Sequence, residues 1–337
     1  MQIGIYFDVR NPPEWQQDPA RLYAFTLEMC EEAERLGADS VWFSEHHMFA
    51  DGYLPQPLTL AAAAAARTRR VRIGTAVVVA PLRPAVQIAE EAAVVDLISA
   101  GRLELGLGAG YRKPEFDLFA ADLSRRYSAT DARVRDIRAL WDEGRVTPAP
   151  VQPRVPIWLG YTGPQGARRA GRLGEGLLSS RPELLAPYLE GLAEGGHDPA
   201  AARMGGNAAA WVTDDPERDW PTFSRHLAHQ FDTYRRYGVE GTDRPVPRPV
   251  DPAKLIDSAR NDALGSFTYG TPDDVAARIA ARLGDAPVTT LLFWASVSGM
   301  SEDMVRRNVE LVCTRVKPLL DDPDFVQRHS AAAPPTG

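Results

Sequence analysis

The sequence holds 337 residues, with 38 Lys and Arg against 45 Asp and Glu, for a formal charge of −7. Hydrophobic residues make up 44%, which supports a large core and excludes a disordered chain, since such chains are apolar-poor and highly charged. The acidic balance argues against nucleic acid as the main partner, because neutralising phosphate needs a basic face.

The opening MQIGIYFDVR has no basic stretch ahead of an apolar one, so no signal peptide is expected. No apolar run approaches the roughly 18 residues that span a bilayer, so no membrane partner is expected. Residues 2–8 read as a buried strand, and 21–36 as an amphipathic helix that stops at Gly37. A second strand, 40–44, runs into Glu45-His46-His47. A carboxylate and two imidazoles at a strand end suit a metal, acid/base work or a polar ring. Solvated side chains on a surface loop are the plain alternative. Neighbours on an extended chain point apart, so His46 and His47 do not readily share one ion.

Residues 57–67, with their AAAAAA run, read as a helix, and 72–79 as a third strand. Ala76 in that strand is small where a bulky residue is expected, which either makes room for a ligand or is ordinary packing. Helix 86–98 leads to a fourth strand, 102–107, and to Gly106-Leu107-Gly108-Ala109-Gly110. This run begins like a dinucleotide fingerprint. Tyr111 and Pro114 follow, and RKPEF is not expected to open a helix, so the fingerprint fails its context. The glycines mark either a flexible turn or a place where something flat approaches the backbone.

A long connection, 108–155, carries a helix at 131–141 and leads to a fifth strand, 156–160. Gly160-Tyr161-Thr162-Gly163-Pro164-Gln165-Gly166 then opens the helix 164–173. Its free N–H groups and dipole make either an anion site or an ordinary capped start. Thr162 offers a hydroxyl, Gly163 lets backbone close over a phosphate, and Arg168 and Arg169 add charge. Strand 176–180, helix 183–193 and strand 206–212 continue the alternation. A second long connection, 213–288, contains a helix-like stretch at 221–237 and a Pro-rich segment at 244–252. Within it, His226 and His229 fall on one helical face. Together with His46 they leave a metal-dependent hydrolase as an alternative. Helix 272–283, begun by Thr271 and Pro272, precedes the eighth strand, 289–295. Trp294 in that strand is a wall or core. The tail beyond Pro318 reads as frayed. Cys30 and Cys313 read as buried free thiols of a reducing, cytoplasmic compartment.

Eight strands alternating with helices predict an α/β fold, a (β/α)8 TIM barrel, over a doubly wound sheet, because closure removes exposed edges. One barrel domain is expected over 1–320 and a C-terminal tail over 321–337. The long insertions follow strands 4 and 7, where loops act as lids over a site.

Taken together, SVWFSEHHMF, IGTAVVVAPLRPAVQIAEEAAVVDLISAGRLELGLGAGY, PIWLGYTGPQGARRAGRLGEG and GTPDDVAARI resemble the bacterial luciferase-like flavin-dependent monooxygenases. The resemblance covers most of 1–180 and 265–315. It implies a closed barrel with a flavin ring over its C-terminal mouth. By position, His46 resembles the catalytic histidine and Glu45 its neighbour. Ala76 and Val77 resemble a non-proline cis peptide beneath the ring. Gly108 and Ala109 resemble positions beside it, and Tyr161, Thr162, Gly163 and Gln165 the phosphate-binding turn. The sequence departs from luciferase at Ala109, where that protein has an arginine for the phosphate, and at Tyr161, where it has an acid. Arg112, Arg168 or Arg181 are then expected to meet the phosphate. The loop motif PLRHP is PLRPA here.

The resemblance implies an oxidoreductase that uses reduced FMN from a separate flavin reductase. O2 would give a C4a-peroxyflavin that oxygenates a small organic substrate, with His46 as acid/base. An F420-dependent reductase or dehydrogenase on the same barrel, and a flavin-binding relative without catalysis, are the alternatives. A homodimer through the helices after strands one and two is expected. Phe49, Tyr53, Phe116, Tyr127 and Phe231 line an apolar pocket or belong to the core.

Overall fold

The alternation of short apolar runs with amphipathic helices is realised as a closed parallel barrel. The structure is a computed structural model and describes residues 1–255, 267–284 and 286–330. Its strands are β1 (Gln2–Phe7), β2 (Ser40–Phe43), β3 (Arg72–Thr75), β4 (Val78–Val79), β5 (Leu103–Gly108), β6 (Ile157–Leu159), β7 (Gly176–Leu178), β8 (Met204–Asn207), β9 (Ala210–Val212), β10 (Thr268–Gly270) and β11 (Val288–Trp294). The barrel runs β3-β2-β1-β11-β8-β7-β6-β5, and β5 returns to β3, so no edge is left open. β9 and β10 pair with each other in a separate two-stranded sheet.

Alternation along each strand decides which side chains face the helices. Ile3, Ile5 and Phe7 of β1 join the main core, while Gly4 and Tyr6 face inward. Burying each such apolar side chain contributes roughly 1.5–3 kcal/mol. The inward face is filled differently. Trp42 and Trp158 meet edge to face, with ring centres 6.5 Å apart, and Leu292 packs with them. A Cβ at Gly176 would lie 2.7 Å from the Trp158 ring, and one at Gly74 would overlap Trp42. The small residues admit the indoles, whose N–H groups donate to Ser40 Oγ (2.8 Å) and Glu104 Oε2 (2.6 Å). This plug is the floor beneath the mouth.

The helices are α1 (Pro19–Arg35), α2 (Pro57–Arg67), α3 (Ala85–Ser99), α4 (Lys113–Leu118), α5 (Arg126–Asp142), α6 (Gly163–Arg172), α7 (Leu185–Glu194), α8 (Pro216–Tyr237), α9 (Pro272–Leu283), α10 (Glu302–Leu311), α11 (Lys317–Asp321) and α12 (Pro323–Ser330). Local chemistry sets their ends. Asp18 caps α1 by accepting from the Ala20 N–H, and Gly37, at φ +93°, lets the chain turn away. Thr271 and Asp274 cap α9 reciprocally. No helix among the described residues is long and apolar enough to cross a membrane.

Four expectations need correction. The run 72–79 is not one strand: the cis Ala76–Val77 bond separates β3 from β4. The run 206–212 is likewise two strands, because the chain turns at Ala209 (φ 47°), whose N–H donates to Asn207 Oδ1 (2.7 Å). RKPEF does open a helix: Pro114 sits in the first turn of α4, where its missing N–H costs nothing. The chain beyond Pro318 forms α11 and α12 as far as Ser330, anchored by buried Phe325. The rest of the expected tail, 331–337, and part of the second connection, 256–266, lie outside the described residues.

Candidate active site

The end of β2 delivers Glu45, His46 and His47 to the mouth on alternating sides, as an extended chain must. His46 Nδ1 lies 2.9 Å from Glu115 Oε1, and the same oxygen accepts the His47 backbone N–H at 2.9 Å. Glu115 comes from α4, so the connection after β5 supplies the partner of the loop after β2. A carboxylate only accepts, so Nδ1 carries the hydrogen and Nε2 is the free ring nitrogen. Glu115 is buried, and its Oε2 has no partner among the described residues. The imidazole stacks on Phe49 (4.5 Å) and meets the edges of Tyr53 (4.7 Å) and Tyr111 (5.4 Å).

Glu45 was expected to work beside His46. Its carboxylate faces the other way and is fully engaged. Oε1 accepts from His47 Nε2 (2.8 Å) and Arg83 Nη2 (3.0 Å), and Oε2 from the Val79 N–H (3.1 Å). Glu45 therefore ties the His46 loop to β4 and is a positioning residue.

Ala76 and Val77 form a ledge between that loop and the floor. Ala76 packs on the Trp42–Trp158–Leu292 plug. A Cβ at Gly160 would lie 2.7 Å from Val77 Cγ1, and one at Gly108 would overlap Val77 Cγ2. The glycines at the ends of β5 and β6 therefore admit Val77. Ala109, just past Gly108, is buried in the main core.

The turn 161–165 shows mixed outcomes. Tyr161 is buried, and its hydroxyl donates to Asp131 Oδ1 (2.7 Å), which also pairs with Arg169. Burial and the adjacent Asp131 carboxylate push its phenol far above the ordinary range. Its side chain is thus committed to α5. Thr162 and Gln165 are exposed, and Thr162 makes no cap bond to α6. Gly163 has φ +70°, a left-handed turn that favours glycine. The three arginines expected to meet a phosphate are occupied. Arg112 binds Glu240 and the His47 carbonyl (2.6 Å), Arg168 binds Glu194, and Arg181 binds Glu183 (2.5 Å).

The other candidates separate. His226 Nδ1 lies 2.8 Å from the Ser298 carbonyl, and its ring lies tilted against Trp15 with centres 4.0 Å apart. Burial holds its pKa below the usual imidazole value. His229 pairs with Asp51 at 3.3 Å. Neither joins His46, and among the described residues no three His, Cys, Asp or Glu side chains are grouped to hold a metal. Phe49 and Tyr53 line the His46 site. Phe116 packs with Val79 and Leu82, Tyr127 against Tyr161, and Phe231 against Phe267. Sequence reasoning missed Glu115, Tyr6 and Tyr234. An acidic residue just beyond the glycines that end a barrel strand was the available signal for Glu115.

The chain is similar to a flavin-dependent trigonelline monooxygenase, oxygenase component, of Acinetobacter baylyi, at 32% identity over 180 residues. That match covers 49% of this chain and 50% of the relative, so the chain spans about half that protein's length. It is also similar to an F420-dependent glucose-6-phosphate dehydrogenase of Kineococcus radiotolerans, at 28% over 329 residues, covering 87% of this chain and 92% of that one. Among solved structures, the monooxygenase RslO1 from Streptomyces bottropensis superposes with a TM-score of 0.78 at 25% identity, covering 94% of this chain and 99% of that one. A family model described as luciferase-like monooxygenase matches residues 1–290, and the chain belongs to that family of oxidoreductases.

Proposed function

We propose that the chain is the oxygenating component of a two-component flavin monooxygenase. It would take reduced FMN from a separate reductase and place one atom of O2 in a small organic substrate. The observation that carries this reading is the His46–Glu115 pair beside the Ala76–Val77 ledge. The residues present fit a flat ring with an anionic tail. The glycines at the ends of β5 and β6 seat Val77 so that the Ala76–Val77 ledge lies close against the barrel, and the start of α6 leaves the Thr162 hydroxyl uncommitted. Thr162, Gly163 and Gln165 would hold the phosphate. Tyr161 would contribute backbone only.

Reduced FMN, when bound, supplies the two electrons that send one oxygen atom into substrate and the other into water. The protein supplies placement and proton control. His46 Nε2 takes up or returns a proton at the mouth, while Glu115 fixes the ring through Nδ1. Tyr53, Tyr111 and Tyr234 surround that imidazole and keep water from it. Tyr237 of α8 fastens the same loop by accepting the Ala50 N–H (3.0 Å).

A second reading, an F420-dependent dehydrogenase, is favoured by the Kineococcus relative, whose match extends over nearly its whole length. We also infer a homodimer and a reducing, cytoplasmic setting. The latter is supported by Cys30 and Cys313, both buried and unpaired.

Mixing the protein with reduced FMN in aerated buffer tests the choice. The expected result is an oxidation course distinct from that of free reduced FMN. The His46→Ala variant should bind reduced FMN normally and lose substrate turnover by roughly 10²-fold or more. An unaltered oxidation course together with hydride exchange with F420 would replace the first reading by the second.

A further inference from the structure

The inner face of the mouth carries a hydrogen-bond donor that the described residues leave unused. Tyr6 and Trp294 are register partners on β1 and β11. Alternation places both on the Leu292 side of the strands, Tyr6 packing on the Trp42–Trp158–Leu292 plug and Trp294 beside Phe267 (ring centres 5.6 Å apart), and both are half-buried. Trp294 Nε1 is buried with no partner among the described residues. An indole N–H only donates, and a buried donor without an acceptor is rare in native proteins, so this one calls for a ligand atom.

Tyr6 brings a hydroxyl to the same face. Its hydroxyl lies 3.0 Å from that of Tyr53, which lies 2.8 Å from that of Tyr234 on α8. Three phenols own three protons, and two hydroxyl–hydroxyl bonds consume two of them. The third proton remains on one of the three hydroxyls, and with Tyr234 donating to Tyr53 and Tyr53 to Tyr6 it is the Tyr6 proton that is left to point elsewhere. Ser44, within reach of Tyr6 and Tyr53, can take it while the site is empty. Burial raises all three phenols above their ordinary value, so they stay protonated at neutral pH. Arg10, fixed by Asp51, Gln230 and Thr233, lies 5.3 Å from the Tyr53 ring centre and 5.7 Å from that of Tyr234. A cation on those rings strengthens their hydroxyls as donors. The surrounding walls, His46, Phe49 and Tyr111, are flat rings.

We propose that Tyr6 and Trp294, with Tyr53 and Tyr234 linked behind Tyr6, form a donor pair that selects a substrate ring carrying a carbonyl or phenolate oxygen. This deepens the oxygenase reading of the same mouth and rests on it. The acceptor oxygen has two possible owners, the substrate or the ring carbonyls of the cofactor, and we assign it to the substrate.

The test uses a matched pair of probes, 4-nitrophenolate and nitrobenzene, titrated into the full chain with FMN and again without it. The wild-type chain should bind 4-nitrophenolate about tenfold or more tightly than nitrobenzene, with a shifted visible band for the bound anion. A site built to donate to an oxygen loses that much when the oxygen is missing. Tyr6→Phe and Trp294→Phe should each bring the ratio towards one while leaving FMN affinity, read by flavin fluorescence, unchanged. Where Trp294→Phe fails to fold, Tyr6→Phe decides. Equal affinities in the wild-type chain, or an undiminished ratio in the variants, overturn the proposal. A loss of FMN affinity with the ratio kept assigns the donors to the cofactor and also overturns it. Should neither oxidised nor reduced FMN bind, the oxygenase reading falls, and the ratio in the cofactor-free chain still decides this proposal.

Discussion

Asp8, just past the end of β1 and two residues on from Tyr6, is a buried carboxyl whose Oδ1 accepts the Arg10 N–H at 3.3 Å. Burial raises its pKa from 3.8 to about 6, against the pull of the Arg10 guanidinium. As pH rises between those values the unfolded chain releases this proton before the folded one, so stability falls through that window and the loss persists above it. Two pH units correspond to a cost of about 3 kcal/mol, an upper figure. Asp8→Asn keeps an acceptor for the Arg10 N–H and removes the charge. It should raise the melting temperature at about pH 8 and change it little at about pH 4. An equal gain at both values would show that the buried charge is not the cause. At this scale, His46 was legible in the sequence because chain order alone puts it at a strand end. Glu115 was not, because its meeting with His46 spans 69 positions and depends on a six-residue helix whose first turn takes in Pro114 rather than being broken by it. The reach of Glu45 towards His47 and Arg83 was illegible for the same reason: nothing in EHH says which side the carboxylate takes.

The barrel strands follow from their apolar runs, and the places where the runs misled are where an element does two jobs. Residues 72–79 look uniform in hydrophobicity, yet β3 and β4 are separate because the Ala76–Val77 bond turns the chain to make the ledge. Residues 206–212 look like one strand, yet Gly206 belongs to β8 while β9 pairs with β10, a partner remote in sequence. Period and composition carry no record of either event. The ledge itself can be tested. Gly108→Ala would drive a methyl into Val77 Cγ2, with Gly108 fixed at the buried end of β5 and Val77 held in the short break between β3 and β4. Overpacking of this kind costs roughly 1–3 kcal/mol. The expected outcome is a lower unfolding midpoint and weaker FMN binding, with much of both recovered in the Gly108→Ala/Val77→Ala double variant. Such recovery is the coupling that a double-mutant cycle measures. Additive losses would show that Val77 is not what the glycine accommodates.

The whole molecule presents one face that a solitary barrel does not account for. A surface helix ordinarily turns a polar stripe to water. α3 instead buries Ile88, Ala89, Ala92 and Val95 inward and exposes Val86, Val94, Leu97 and Ile98, each at 39–45%. The exposed four lie on one side of the helix at helical spacing, with Glu90 among them. An apolar patch of this kind on an otherwise acidic chain marks a contact surface. A second copy of the chain is the occupant we propose, since a two-fold contact sets the same apolar stripe against itself. On this proposal the dimer contact would lie on α3, the helix after β4, rather than through the helices after strands one and two. The sequence does not separate the two because AAAAAA in α2 and VV in α3 look equally apolar, while in the structure Ala61, Ala64 and Ala65 of α2 pack inward. Val94→Glu places two like charges near each other across the axis and desolvates both, whereas in a monomer it only adds a solvated side chain. The wild-type chain should therefore sediment as a dimer at micromolar concentration. Val94→Glu should sediment as a monomer with its circular dichroism and FMN affinity intact. A wild-type monomer, or a variant that still pairs, would remove α3 as the contact.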